Sequence, residues 1–144
     1  MSLAWPRTRA WIGTVLNADA TLTGLLTPGK VWVSSPAQGS LLPRVVLSHV
    51  HTGPIKVNGN TTIWADIVCQ IVGIDRTTTL ATLEAAMNRV DVLLDSASGT
   101  VVSGQVLFCS SGDEIAFEEP PDPGASVPYQ HLGREWYIFG KSTA

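Results

Sequence analysis

The Asn58-Gly59 dipeptide, placed between two long apolar segments, constrains the fold of this chain more than any other feature. Residues 44–52 and 61–74 are rich in Val, Ile, Leu and Thr. Asn-Gly is the dipeptide that best suits the two central positions of a tight hairpin turn. The sequence therefore predicts a long antiparallel β-hairpin.

Placing Asn58 and Gly59 at the centre of the turn predicts which residues of the two strands face each other. One face is small and apolar, and we expect it to face the core; its pairs are Val46–Ile71, Ser48–Cys69 and Val50–Ile67. The opposite face is mixed, with the pairs Val45–Val72, Leu47–Gln70, His49–Val68 and His51–Asp66. A bulge at Gly53-Pro54 is an alternative that shifts this register by one residue.

Helical segments surround the hairpin in the sequence. We expect helices over residues 6–17 and 20–26, the second capped by Asp19, and a clearer amphipathic helix over residues 77–94. The last strand, residues 132–141, is apolar on both faces, which is typical of a central strand or of one sandwiched against a neighbour. The sequence thus predicts one domain, residues 1–144, of the α+β class, with a mostly antiparallel twisted β-sheet packed against two or three α-helices.

The chain carries little charge for its length. Hydrophobic residues make up 44% of the sequence and charged residues only 15%, against a usual charged share of about 25%. This composition indicates either buried contacts with other chains or a large core. No apolar run has the length of a membrane helix and no leader peptide is visible, so we expect synthesis in the cytoplasm.

The two ends of the chain differ in charge. Residues 1–60 have a formal charge of +4 and residues 61–144 have −7. The basic residues form no cluster, so the sequence lacks the footprint of a specific nucleic-acid binder.

Catalytic and cofactor motifs are missing from the sequence, so we expect neither an enzyme nor a cofactor. His49 and His51 lie near Asp66 in the predicted hairpin, and two histidines with one carboxylate can hold a metal ion. A simple cross-strand charge pair of His51 with Asp66 is the favoured alternative. Cys69 and Cys109 are predicted to be buried free thiols.

An acidic group lies towards the end of the sequence: Asp113, Glu114, Glu118, Glu119 and Asp122. Part of it belongs to a Pro-rich acidic loop predicted over residues 118–128, since proline is excluded from central strands. The spacing does not match a calcium-binding loop, which favours a solvated acidic surface.

Several short segments carry a family resemblance. They are residues 29–33 (Gly-Lys-Val-Trp-Val), residues 35–39 (Ser-Pro-Ala-Gln-Gly), residues 42–47 and the aromatic strand at 134–139. Over residues 11–139 the chain resembles the small tail-terminator, or tail-completion, proteins of long-tailed bacteriophages. None of these segments is a catalytic signature.

The resemblance implies a structural virion protein at the tail–head junction. Members of that family are expected to form a hexameric ring that caps the tail tube, ends tube polymerisation and offers a docking surface for the head. The implied partners are further copies of the chain, the tail-tube protein and a head-completion or connector protein, with DNA passing through the lumen without specific binding. Another head–tail connector ring, a stopper, is the alternative in the same class.

A closed ring needs two different patches on each subunit. Candidates for one patch are on the mixed hairpin face: Trp64, Asp66, Gln70, His49 and His51. The last strand, with Trp136 and Tyr137, is predicted to form the other patch or the core that supports it. Acidic residues repel phosphates, so the acidic group is predicted to line the lumen or its rim.

Overall fold

A computed structural model describes residues 4–56, 63–102 and 104–142 of the chain. The elements run in the order α1 (Ala4–Asn17), α2 (Ala20–Leu26), β1 (Val31–Trp32), β2 (Arg44–Lys56), β3 (Ile63–Arg76), α3 (Ala81–Leu94), β4 (Gly99–Val101), β5 (Gly104–Glu119) and β6 (Tyr129–Ser142). The predicted turn at Asn58-Gly59 lies outside the described residues.

The strands form one sheet of six, in the order β1-β2-β3-β6-β5-β4. All neighbouring strands are antiparallel except β1 and β2, which are parallel. The predicted α+β class with a mostly antiparallel sheet is confirmed. The strand β6 lies between β3 and β5, so the prediction of a central final strand is confirmed as well.

The core lies between one face of the sheet and the three helices, and we call this side of the sheet the inner face. Ile67 and Ile71 of β3 and Trp136 and Ile138 of β6 are almost completely buried on it. The helix α3 covers these strands with the apolar stripe that the sequence predicts, burying Leu83, Ala86, Met87, Val90 and Leu94. This helix begins at Ala81 rather than Thr77.

The predicted register of the hairpin is wrong. Val46 lies opposite Val72, not Ile71, and the buried residues of β2 are Val45 and Leu47. A strand alternates its side chains between the two faces, so a slip of one residue exchanges the faces of the whole segment. The sequence therefore places the core residues of β3 correctly and those of the first half of β2 on the wrong face.

The carboxylate of Asp19 joins α2 to α3. It caps α2 by accepting a hydrogen bond from the Leu22 backbone N–H at 3.4 Å. Arg89 of α3 donates to it through Nε at 2.7 Å and Nη2 at 3.0 Å. The hydrogen bonds from Arg89 hold the pKa of Asp19 below its usual range.

Both cysteines are buried free thiols, as predicted. Burial raises the pKa of Cys69 and of Cys109 to about 12. Neither thiol is a nucleophile near neutral pH, because the thiolate is the reactive form. No helix within the described ranges is long and apolar enough to cross a membrane.

The strands β3 and β6 approach closely at Gly133. A Cβ atom on this residue would lie 2.1 Å from the carbonyl oxygen of Ile71 and 2.6 Å from Cα of Val72. Displacing the backbone of a central strand costs much free energy because it breaks the hydrogen bonds to both neighbours. Only glycine therefore fits at this position.

We expect Gly133→Ala to lower the free energy of unfolding by about 3 kcal/mol or more, because the added methyl group forces β3 and β6 apart. Gly24→Ala in α2 is the matched control, since a Cβ there meets nothing within 4 Å. It should stabilise the protein by about 0.5–1 kcal/mol, as alanine does in helices. Urea unfolding followed by circular dichroism measures both, and equal effects of the two substitutions would contradict the close approach at Gly133.

We also expect the stabilising effect of Asp19 to depend on pH. Its pKa is lower in the folded protein than in the unfolded chain, so its contribution is present above the unfolded pKa and disappears as pH falls through the folded pKa. Asp19→Asn should therefore lower Tm clearly at pH 7 and much less near pH 2. Exposed Asp113 of β5, changed to Asn, serves as a control with little effect at either pH. The same Tm loss at both pH values would show that the carboxylate charge is not the cause.

Candidate interaction surface

The side of the sheet opposite the helices is rich in partly exposed aromatic side chains. Phe108 is 48% exposed and Tyr137 is 39% exposed. Phe108 lies opposite Phe139, and their ring centroids are 6.3 Å apart. We call this surface the open face and define it by Asp66, Val68, Gln70, Phe108, Phe117, Tyr137 and Phe139.

Four of the predicted interface residues lie on this side of the sheet, and one of them is His51 of β2, opposite Val68. Asp66 and Gln70 lie on β3, and Tyr137 lies on the neighbouring strand β6, opposite Val68. The Tyr137 hydroxyl donates to the Glu135 carboxylate at 3.5 Å. The negative charge of that carboxylate raises the pKa of Tyr137, so the hydroxyl stays protonated over the physiological pH range.

Trp64 belongs to the same strand, and its backbone lies opposite Lys141. Its side chain is outside the described part of the structure. Its predicted role in the interface stays a prediction.

His49 and His51 lie on opposite faces of the sheet. The register shifts between them, with His49 opposite Cys69 and His51 opposite Val68. Val50 is the extra residue of this β-bulge. The bulge that the sequence analysis considered at Gly53-Pro54 therefore occurs a few residues earlier.

The bulge gives the two histidines different surroundings. The His49 ring stacks on Trp5 of α1 with centroids 5.0 Å apart, and its Nε2 is 2.6 Å from the Thr52 hydroxyl. Gly53, not His51, lies opposite Asp66. The predicted pairing of His51 with Asp66 is wrong, and the described residues contain no group of three metal-binding side chains.

Trp136 lies in the core beneath the sheet rather than on its surface. It is completely buried on the inner face, opposite Cys69. Of the two roles predicted for this strand, Trp136 has the supporting one. Next to it, Arg134 forms an ion pair with Asp91 of α3 at 3.2 Å.

Most of the acidic group lies in a strand. Asp113, Glu114, Glu118 and Glu119 are exposed residues of β5, which continues to Glu119. The Pro-rich loop is therefore shorter than predicted and covers residues 120–128. The register of β5 shifts between Ser111 and Glu114, so polar residues that resemble a loop in the sequence form an irregular part of one strand.

Side-chain contacts fix one end of the open face. The Phe117 ring stacks on His131, with centroids 4.2 Å apart and planes 12° from parallel. Nε2 of His131 lies 3.2 Å from Oε1 of Glu119. The Tyr129 hydroxyl donates to Asp122 at 2.7 Å, which holds the loop after β5 close to the sheet.

Phe108, Phe117 and Phe139 are not among the interface residues predicted from the sequence. Their signal is present in the sequence, because each lies in a strand where apolar residues alternate. A polar stretch between Phe108 and Phe117 interrupts the alternation and obscures this signal. The aromatic side chains meet only when β5 and β6 pair.

Comparison with known proteins adds a structural likeness. No protein-family model matches this sequence, and no curated protein matches it. A chain in the structure titled "Virion of native gene transfer agent (GTA) particle" is similar with a TM-score of 0.66 and 19% sequence identity. The match covers 96% of this chain and 99% of the other. At this level of identity, the likeness shows that the two chains share a fold over nearly their whole lengths.

Proposed function

We propose that this chain is a structural virion protein of a phage-like particle and has no enzymatic role. The observation that carries the proposal is the fold shared with a gene transfer agent virion chain over 96% of this chain and 99% of that one. The sequence resemblance to phage tail terminators supports the same class of function.

The open face supports a role in assembly. Phe108, Phe117 and Tyr137 expose 48%, 50% and 39% of their surfaces on one side of the sheet. Aromatic residues are enriched where proteins bury surface against a partner, since each brings a large apolar area with few rotatable bonds. We propose that the open face is covered when the protein joins the virion.

The specific function that we propose is that of a tail terminator. The protein forms a ring, with six copies implied by the resemblance, on the last ring of the tail tube. It ends tube polymerisation and presents its other side to a head-completion or connector protein. DNA passes through the ring without specific binding, in keeping with a sequence that has no cluster of Lys and Arg.

Tube assembly tests this function directly. The tail-tube protein of the same virion is polymerised with and without the purified protein, and the products are measured by electron microscopy. We expect shorter tubes that carry a ring at one end when the protein is present. Tubes of unchanged length without bound protein would overturn the terminator function, and binding to the head connector instead of the tube would favour the stopper.

The open face gives a prediction for the same experiment. Phe108→Ser combined with Tyr137→Ser should reduce binding to the tube end by at least about 100-fold, because interface aromatic residues typically contribute about 2 kcal/mol each when truncated. Binding is measured as the fraction of protein that sediments with tubes over a range of protein concentrations.

A matched control separates binding from folding. Val92→Ser with Val102→Ser removes exposed apolar surface, 69% and 75% exposed, at positions outside the open face. This control should bind tubes like the unmodified protein, and both variants should keep their circular dichroism spectra. Normal tube binding by the Phe108/Tyr137 variant would exclude the open face from the contact.

A further inference from the structure

The charges of the chain are sorted between the two edges of the sheet. No Asp or Glu occurs between Asp19 and Asp66, a stretch that contains β1 and β2. No Lys or Arg occurs between Arg89 and Arg134, a stretch that contains β4 and β5. Because β1 and β2 form one side of the sheet and β5 and β4 form the other, each side carries charge of a single sign.

Both edges are largely unpaired within the described residues. The two-residue strand β1 pairs only with Val45 and Val46 of β2. The short strand β4 pairs with residues 104–106 of β5, and the Cys109 carbonyl accepts from Ser96 N–H at 2.9 Å. The rest of β5, residues 110–119, borders no further strand.

The basic residues of one edge and the acidic residues of the other lie at the same position along the strands. One row of paired residues runs across it from Arg44 through Ile74 and His131 to Phe117. Exposed Lys30 precedes Val31, the partner of Val45, so it lies at the Arg44 end of the row.

At the other end of this row, Glu118 and Glu119 directly follow Phe117 and are exposed. Subunits of a closed ring are related by rotation alone and have no shift along the axis. When the strands run along the ring axis, residues in the same row of the sheet lie at the same position along that axis in every subunit. The two ends of a row therefore meet at the contact between neighbouring subunits.

We propose that the acidic β5 edge of one copy docks against the basic β1–β2 edge of the next copy, with Glu118 facing Lys30. Within one copy, Glu118 accepts from Nε2 of Gln130 at 3.0 Å and the Lys30 ammonium lies 4.1 Å from the centroid of the Trp32 ring, so both charges are held at their edges. The two edges differ, so the contact is heterologous and can close into a ring. Like edges repel each other, which disfavours two-fold dimers through either edge. The irregularities at Val50 and at residues 112–113 disfavour a flat strand ladder, so side chains provide most of the contact.

This inference rests on the proposed ring and identifies the surfaces that build it. It also assigns Glu118 a role different from the lumen or rim position predicted for the acidic group from its charge. Charge reversal separates the two roles. Reversal of lumen residues leaves association of the subunits unchanged and traps DNA, whereas reversal at the edge weakens association of the subunits.

The experiment is a charge swap with four proteins: the unmodified chain, Glu118→Lys, Lys30→Glu and the double variant. Self-association is measured by sedimentation over a wide range of concentrations, in solution and in the presence of tail tubes. Each single variant should associate about tenfold more weakly, because an attraction between exposed charges becomes a repulsion. An equal mixture of the two single variants and the double variant alone should both recover association.

The same sedimentation and tube-binding measurements provide two controls and several outcomes that would contradict the edge contact. Glu84→Lys, the same charge change on exposed α3, should leave association unchanged, and 0.5 M salt should weaken association of the unmodified protein. Unmodified protein that stays monomeric in both settings, single variants that associate normally, or a mixture that does not recover would each overturn the edge contact. Normal tube capping by a Glu118→Lys variant would reject the edge contact while the terminator function stands, and failure of the unmodified protein to cap tubes would reject the terminator function.

Discussion

The structure depends on burying one face of the central strand pair, β3 and β6, beneath the helices. Trp136 and Ile138 provide the inner face of β6, and Ile67 and Ile71 provide that of β3, all with almost no exposed surface. Burial of apolar surface is the main favourable term in folding. Since the three helices all cover the same side, the domain obtains its core from one face of the sheet and leaves the aromatic side chains of the other face available.

The order of the strands converts an asymmetry of the sequence into an asymmetry of the surface. The last strand, β6, inserts between β3 and β5 instead of adding to an edge. The early strands β1 and β2 therefore stay at one side of the sheet and β4 and β5 at the other. A chain whose first part is basic and whose second part is acidic thus becomes a domain with one basic and one acidic edge. Two different, complementary edges are the minimum that a head-to-tail assembly of identical subunits needs.

Much of this fold could be predicted from the sequence because its patterns are local. The apolar stripe from Leu80 to Leu94 predicts which side of α3 is buried. The apolar character of residues 132–141 predicts the central place of β6 in the sheet. The faces of the first half of β2 could not be predicted, since one inserted residue at Val50 has no signature in a strand of alternating apolar residues. The open face was missed for a different reason: its aromatic side chains come from strands that meet only through long-range pairing.

The bulge at Val50 divides β2 into two halves of opposite phase. Before it, odd-numbered residues such as Val45 and Leu47 face the helices; after it, the even-numbered Thr52 lies opposite buried Ile67 and His51 turns to the other side. Since His49 and His51 face the consecutive residues Cys69 and Val68, a deletion of Val50 would remove the bulge and leave the partner and the face of every later residue unchanged. Sequences that share this fold but lack or gain one residue here need an alignment gap at the bulge. Without the gap, core residues of one sequence would be matched with surface residues of the other.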